Sequence, residues 1–328
     1  MGLVLSVLLS FVPAFCYASV VYWIDRYEKE PKRLLLGVFL WGAIVAVIGA
    51  LIWSGLFELS VYLFLGPTFV DLIGSSVIAP VVEESVKGLA VLIIFLVFRP
   101  EFDSILDGIV YAAVAALGFA ATENVLYLYT AGYATDGYNG LFTLFVMRVL
   151  LGGWNHAVYT SFTGIGLAAS RLSRHTFVKV VAPVTGLLMA MGAHSLHNTM
   201  VILLSQNIGG FLATLAIDWL GWVVMVLVVL WALHRERHWI STHLRDEVER
   251  GTLSEAHYRT ACSSWAQTAV RLRALFGGQY RATWRFYQAC GELAQKKHQR
   301  IELGEARYDS TIDSLRGELR QLGPKVTA

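Results

Sequence analysis

The sequence predicts an all-α polytopic membrane protein, a bundle of seven transmembrane helices with a C-terminal helical cytoplasmic tail. Of the 328 residues, 56% are hydrophobic and only 15% are charged, whereas about a quarter of the residues of a soluble domain are charged. Residues 1–234 also contain seven apolar runs of roughly the 20 residues that a helix needs to cross a bilayer. A soluble enzyme is therefore excluded.

Each apolar run is bounded by short polar connections. In chain order the seven runs are Leu3–Trp23, Leu34–Phe57, Leu72–Phe98, Ile105–Thr130, Leu141–Ser170, Phe177–Ser205 and Gly209–Leu233. The first lacks the basic stretch that opens a signal peptide, so we expect an uncleaved span. Residues 1–234 should thus form a transmembrane domain, and the more polar residues 235–328 a helical tail outside the bilayer.

Positive charge sorts the connections between the spans. Lysine and arginine occur between spans one and two, three and four, five and six, and after span seven, whereas 58–71, 131–140 and 206–208 contain neither. Cytoplasmic loops are the ones enriched in these residues. The pattern predicts a multi-pass protein of the cell (inner) membrane with its N-terminus outside and its tail in the cytoplasm.

The tail carries the basic excess of the chain, which suits contact with the anionic inner leaflet of a lipid bilayer. Acidic residues are interspersed among the basic ones, so we expect no nucleic-acid partner. The three cysteines are too few and too scattered for a disulfide framework or a zinc cluster.

Ionisable and amide side chains occur inside four of the predicted spans. Because such groups are costly in lipid, each is a functional candidate by default. The candidates are Glu83, Glu84 and Lys87 in span three, Glu123 in span four, Arg148, Asn155 and His156 in span five, and His194, His197 and Asn198 in span six. Counted along the helices, they share one layer in the outer to middle part of the membrane, which indicates a hydrated cavity between spans three to six.

Helical spacing refines these candidates. Glu83 and Lys87 are four residues apart, so we expect them to pair on one helix face. Arg148 is expected to neutralise an acid on a neighbouring helix rather than to contact substrate directly. His156 is equally consistent with direct chemistry and with a supporting contact, and His197 is expected to orient a neighbour.

Two carboxylates beside a histidine suit the activation of water. One carboxylate takes the proton, a second acid or histidine positions the water and returns a proton to the leaving amine, and amide or imidazole donors stabilise the oxyanion. Alternatively Glu83, Glu123 and His194 could hold a metal ion such as Zn²⁺, although no HExxH spacing supports one. The residues alone leave open whether the cofactor is none or one divalent ion.

Several ordered motifs resemble those of the PrsW family of intramembrane proteases. Glu83-Glu84-Ser85-Val86-Lys87 is similar to its EExxK motif, Phe119 to Glu123 to its FxxxE motif, and His194 to Asn198 to its HxxxD motif, with Asn in the last place. The resemblance covers roughly residues 20–200. It also implies kinship with the CAAX prenyl proteases, whose last motif ends in Asn, as this one does.

The resemblance implies proteolysis of a membrane-embedded or membrane-proximal peptide bond in a membrane protein substrate such as an anti-sigma factor. Carried over by position, Glu83 is the base, Glu84 completes the acidic pair, and Glu123 positions the water. His194 and Asn198 are then the oxyanion donors. Lys87, Arg148, Asn155, His156 and His197 are expected to support them.

Two other classes of protein fit intramembrane acids, a lysine and histidines. One is a proton- or ion-coupled transporter, since such groups also build proton relays, although no inverted repeat is evident between the halves. The other is a non-catalytic immunity or binding protein that keeps the motifs for helix packing.

Overall fold

The computed structural model describes residues 1–204, 207–304 and 308–326, and every regular element in these ranges is helical. The prediction of an all-α chain is confirmed. The helices before the tail are α1 (Gly2–Ile24), α2 (Lys32–Leu40), α3 (Val47–Leu65), α4 (Val70–Ile73), α5 (Ala79–Val97), α6 (Ile105–Leu126), α7 (Ala134–Leu144), α8 (Asn155–Leu172), α9 (Thr176–Leu204) and α10 (Ile208–His243).

Wide π-helical turns join several of these helices without a break. They are Trp41–Ala46 between α2 and α3, Gly74–Ile78 between α4 and α5, Tyr127–Tyr133 between α6 and α7, and Phe145–Leu151 after α7. The chain bends within α7 at Asp136 and Gly137, where Gly137 has a φ of 57°. The predicted connections at 58–71 and 131–140 are partly helical, because α3 continues to Leu65 and most of 131–140 is helical.

Five helical stretches of the described chain are long and apolar enough to cross a membrane. They are Gly2–Ile24, Lys32–Leu65, Ile105–Leu172, Thr176–Leu204 and Ile208–Glu249. Many large apolar side chains on these stretches are exposed to the surroundings, as lipid-facing residues are. The chain is a multi-pass membrane protein, and the count of seven spans stays a prediction.

The chain divides into two compact units. The first comprises 1–24 and 30–227, and the second comprises 25–29 and the chain from 228 onward. Helix α6 is the centre of the first unit, since nearly all of its side chains are buried. Its N-terminus is fixed by a capping box, in which Ser104 and Asp107 satisfy each other's backbone amides.

Glycines allow the helices of the first unit to approach closely. Gly108 of α6 meets Gly164 of α8, where a Cβ on either residue would overlap the carbonyl oxygen of the other. Gly166 of α8 and Gly186 of α9 form a second contact of this kind, with a Cβ at each position about 3.0 Å from the Cα of the other. Small residues at crossings are what bring helices together in a bilayer, and these two crossings place α6, α8 and α9 side by side.

The second unit is a small helical bundle with its own core. Its helices after α10 are α11 (Arg245–Glu249), α12 (Glu255–Ala261), α13 (Ser264–Phe276), α14 (Tyr280–Leu303) and α15 (Asp309–Leu322). Its core includes Phe286, Tyr287 and Leu293 of α14 and Leu319 of α15. The chain turns between α13 and α14 at Gly278, which has a φ of 72° that glycine adopts without strain.

Residues 25–29 belong to the second unit because α14 holds their backbone. The amide of Lys29 donates to Gln288 Oε1 at 3.0 Å, and Gln288 Nε2 donates to the carbonyl of Lys29 at 3.2 Å. Elsewhere in this unit the buried carboxylate of Glu247 pairs with Lys297 and with Arg316, each at 2.8 Å. Core packing and paired charge together give the tail a defined fold.

Candidate active site

Glu84 lies at the point where α5, α8 and α9 meet. Its side chain is fully buried and has three partners. Lys87 Nζ lies 2.6 Å from Glu84 Oε1, His194 Nδ1 lies 2.9 Å from the same oxygen, and the Thr160 hydroxyl donates to Oε2 at 2.7 Å. A carboxylate satisfied in this way is held rigidly, so Glu84 fixes the lysine and the histidine beside it.

Lys87 is also fully buried, and its ammonium group contacts several side chains besides Glu84. Its Nζ lies 3.6 Å from Glu83 Oε2 and 3.3 Å from His156 Nδ1, and it sits 4.5 Å from the ring centre of Phe119. The spacing predicted Glu83 as its partner, and the two do face each other. Glu84, three residues before Lys87, is nevertheless the closer carboxylate, since a lysine side chain can reach acceptors three or four residues away.

Glu83 carries a buried atom without a hydrogen-bond partner among the described residues. This atom is Oε2, and it faces His194 Nε2 at 3.9 Å. Because His194 Nδ1 must carry the proton that it shares with the Glu84 carboxylate, its Nε2 presents a lone pair to Glu83. Two buried acceptors that face each other at this distance call for a cation or a water molecule between them.

A second carboxylate group is provided by α6. Glu123 Oε2 accepts from Arg148 Nη2 at 2.8 Å and lies 3.0 Å from His156 Nε2, and Arg148 Nε donates to Asn124 Oδ1 at 3.0 Å. The guanidinium also lies 3.7 Å from the ring centre of Tyr127. Arg148 is thus placed as a neutralising partner for Glu123, and His156 links Glu123 to Lys87.

Three residues of this cluster could hold a metal ion. Glu83, His156 and His194 each offer one ligand atom, and these atoms lie within 4.8 Å of one another. Two histidines and a glutamate are a known ligand set of catalytic zinc, and Glu84 holds His194 from behind in the manner of a carboxylate that orients a metal-bound histidine. Glu83 Oε2, which accepts no hydrogen bond from a described residue, and the open lone pair of His194 fit such an ion.

The sequence placed Glu123 in the candidate metal set, whereas the structure groups His156 with Glu83 and His194. His156 would have to give up one contact to bind an ion, because its two ring nitrogens lie beside Lys87 and Glu123. If His156 Nδ1 bound the ion in place of its contact with Lys87, the Glu123 carboxylate would still orient the imidazole ring through Nε2. The fit therefore requires a small local change at one of the three ligands.

A network around Asp218 of α10 is the feature that the sequence did not predict. Asp218 lies 2.9 Å from His197 Nδ1 and accepts from Asn155 Nδ2 at 3.0 Å and from the Tyr159 hydroxyl at 3.4 Å. Trp222 Nε1 donates to Asn155 Oδ1 at 2.7 Å. The side chains of Asn155 and His197 are therefore held by Asp218.

Tyr159 connects the Asp218 network to the candidate ligands. Its ring stacks on His194 with ring centres 5.1 Å apart, and it meets His156 edge-on at 6.2 Å. Asp218 thus holds the aromatic side chain that packs against both histidines. The sequence could not predict this role of Asp218, because the residues that contact it come from two other helices, α8 and α9.

Asn198 lies outside the cluster. Its Nδ2 donates to the carbonyl of Ser75 at 2.8 Å, and the residue is partly exposed. It follows His194 by one helical turn, so the two share a helix face as the spacing predicted. The amide itself is held at the π-helical turn before α5.

Residues 30–232 match the family model described as "PrsW family intramembrane metalloprotease". Among curated relatives, a stretch covering 34% of the chain is 40% identical to 46% of Protease PrsW of Clostridioides difficile (strain 630). A stretch covering 46% of the chain is 32% identical to 60% of Protease PrsW of Geobacillus kaustophilus (strain HTA426).

Protease PrsW of Bacillus subtilis (strain 168) is 34% identical over 35% of the chain and 50% of its own length. The chain thus spans about half the length of these three relatives. No solved structure matches the chain. The family match covers more than half of the chain and includes Glu83, Glu123, His156 and His194, and the family resemblance predicted from the motifs is confirmed. The chain belongs to the PrsW family of intramembrane metalloproteases.

Proposed function

We propose that the chain is an intramembrane endopeptidase that hydrolyses a peptide bond of a membrane protein. The observation that carries this proposal is Glu83 Oε2, which has no hydrogen-bond partner among the described residues and faces the open nitrogen of His194 at 3.9 Å. Water activation requires an acceptor that is free to take a proton and is held in place by its surroundings. Membership of the PrsW family supports the same activity.

In this proposal Glu83 accepts the proton of the reacting water. Glu84 holds Lys87 and His194, and the Lys87 ammonium, 3.6 Å from Glu83, stabilises the carboxylate form of the base. Glu123, fixed by Arg148 at 2.8 Å, orients His156 and positions the water. These residues come from separate helices, so the bundle must be folded for the site to exist.

Glu83, His156 and His194 would hold the metal ion that the family description names. A divalent ion bound there would polarise the scissile carbonyl and lower the pKa of water. One oxygen of Glu83 would then serve as ligand while the other stays available to a proton. Arg148 and Glu84 would keep their contacts with the protein, and Lys87 would keep its contact with Glu84 while it gives up the one with His156.

The motif predicts His194 and Asn198 as the oxyanion donors, and we assign this role to Asn198, because the Nδ1 proton of His194 is held by Glu84 and its Nε2 has no proton to donate. Asn198 Nδ2 is a hydrogen-bond donor, which an oxyanion site needs. Its present acceptor is the carbonyl of Ser75, so an encounter with substrate would exchange that hydrogen bond for one to the scissile carbonyl oxygen. The Asp218 network would support the site by holding Tyr159 against both histidines.

We also propose seven spans, with the N-terminus outside, the tail in the cytoplasm, and the protein in the cell (inner) membrane. Residues 1–234 would be the protease domain and 235–328 the cytoplasmic tail. In support, α5 together with the turns before it is 28 residues long from Val70 to Val97, and its charges face buried partners. The bend at Gly137 would separate spans four and five.

Reporter fusions test this topology. Alkaline phosphatase is active only outside the cytoplasm, so it should be active when fused after Gly137 and inactive when fused after Arg174 or Lys325. Activity after Lys325 would contradict the assignment of the tail.

The proposed substrate is a membrane protein cleaved within or next to its membrane span, such as an anti-sigma factor. The test uses the full chain in proteoliposomes with a single-span anti-sigma factor that carries tags at both ends. Wild type should release a shortened product, and Glu83→Gln should release none while remaining folded. Equal product from both proteins would overturn the assignment of Glu83, and proton uptake without any product would favour a transporter.

A further inference from the structure

Helix α13 in the tail carries an exposed apolar stripe. Trp265, Leu272 and Phe276 are 72%, 56% and 89% exposed. Their spacing of seven and four residues places them within about 20° of one line along the helix, because each residue turns the helix by about 100°. Leu275, also 56% exposed, lies beside this line.

The opposite face of α13 is packed into the tail. Gln267, Val270 and Ala274 are buried, and Val270 belongs to the core of the second unit. The helix therefore has one apolar face that the tail covers and another that stays largely exposed, with the Arg26 guanidinium near the ring of Trp265. An exposed apolar stripe with two large aromatic side chains, Trp265 and Phe276, is unusual on a protein surface unless it is a binding site for a partner or a membrane.

The charge around α13 indicates what it binds. No acidic residue lies between Glu255 and Glu292, whereas five arginines do. Arg259 and Arg285 are paired with glutamates. Arg273 on α13 and Arg281 at the start of α14 are exposed to solvent, and the Arg26 guanidinium lies 5.6 Å from the ring of Trp265.

An apolar stripe flanked by arginines and free of acids is typical of helices that lie in the surface of an anionic membrane. The tail is also joined to a bilayer by its own chain, since α10 runs without a break from the apolar residues after 208 to His243. Because of this covalent connection, the lipid surface is always close to the stripe, and its effective concentration is higher than that of any soluble partner.

We propose that α13 is a membrane-docking helix that binds the anionic lipid surface from which α10 emerges. Trp265, Leu272 and Phe276 enter the headgroup region, and Arg273 and Arg281 contact lipid phosphates. This inference does not rest on the proposed peptidase activity.

The test uses the full chain in nanodiscs that hold one copy each, with discs that hold two copies for comparison. Hydroxyl-radical labelling measures the accessibility of Trp265 and Phe276 in discs of phosphatidylcholine alone and in discs with 30% phosphatidylglycerol, a probe fraction of about one lipid in three. Ile301 of α14, 59% exposed, is the internal control, because it lies outside the stripe. Its labelling should be the same in both lipids.

Trp265 and Phe276 should label several-fold more slowly in the anionic discs. The variant Arg273→Gln with Arg281→Gln should restore labelling, since each arginine near an anionic surface contributes about a fivefold factor to binding. The matched control Arg320→Gln with Lys325→Gln removes the same charge from exposed positions elsewhere in the tail, and it should stay protected.

Three results would overturn the proposal. The first is equal labelling of Trp265 in both lipids. The second is protection that the Arg273 and Arg281 variant keeps. The third is protection that occurs only in discs with two copies, which would assign the stripe to a contact between chains.

Discussion

Removal of Lys87 should destabilise the protein strongly, because its ammonium is the fully buried cation between two buried carboxylates. It lies 2.6 Å from Glu84 and 3.6 Å from Glu83. Loss of one partner of a buried ion pair costs about 3 to 5 kcal/mol, since it leaves an uncompensated buried charge. We expect Lys87→Met to lower the free energy of unfolding by about this amount.

A double variant also removes the Glu84 carboxylate, which would otherwise stay buried without its cation. Glu84→Gln with Lys87→Met should be more stable than the sum of the two single changes by about 1 to 3 kcal/mol, as contacting residues are coupled. Lys179→Met is the matched control, because Lys179 is exposed and its replacement should change stability by less than about 0.5 kcal/mol.

The assay is unfolding of the full chain in mixed micelles with increasing SDS, followed by tryptophan fluorescence. Two results would refute the reasoning. One is a Lys87→Met protein that is as stable as the Lys179→Met protein. The other is strict additivity of the Glu84 and Lys87 changes, which would mean that the two side chains do not interact.

Further predictions concern the base, a helix crossing and the tail. Glu83→Gln should lower the cleavage rate at least about 100-fold at unchanged stability, and cleavage near the wild-type rate would exclude Glu83 as base. Gly164→Ala should cost about 1 to 3 kcal/mol, because its Cβ would overlap the Gly108 carbonyl. Gly192→Ala, with nothing within 4 Å of its Cβ, should not, and equal stability of the two would contradict the crossing. Burial raises the pKa of the Cys290 thiol, so N-ethylmaleimide at pH 8 should alkylate Cys290 only after unfolding, whereas the exposed Cys16 should react in the folded chain, and rapid alkylation of Cys290 itself before unfolding, read by peptide mass spectrometry, would contradict the core assignment.

Much of the site was predictable, because a charged residue inside an apolar segment is costly in a membrane and therefore indicates a functional site or a buried ion pair. Glu83, Lys87 and His194 are conspicuous in the sequence for this reason, and the structure brings them together. Spacing alone could not rank Glu84 above Glu83 as the partner of Lys87, since a flexible lysine reaches both. The choice is made by Thr160 and His194, which arrive from other helices and fix Glu84 in place.

The parts that the sequence did not predict depend on contacts between distant segments. The role of Asp218 depends on Asn155, Tyr159 and His197, none of which marks it in the sequence. The π-helical turns are likewise not predictable from the hydrophobic pattern, although each wider turn changes which side chains of the following helix face inward.

The most direct test of the convergence of Glu83, His156 and His194 is X-ray absorption at the zinc edge of the purified chain loaded with one equivalent of Zn²⁺. We predict a spectrum of two imidazoles and oxygen ligands, and loss of the bound ion in His194→Ala. Sulfur ligation, or a spectrum unchanged by the His194 and His156 substitutions, would contradict the account.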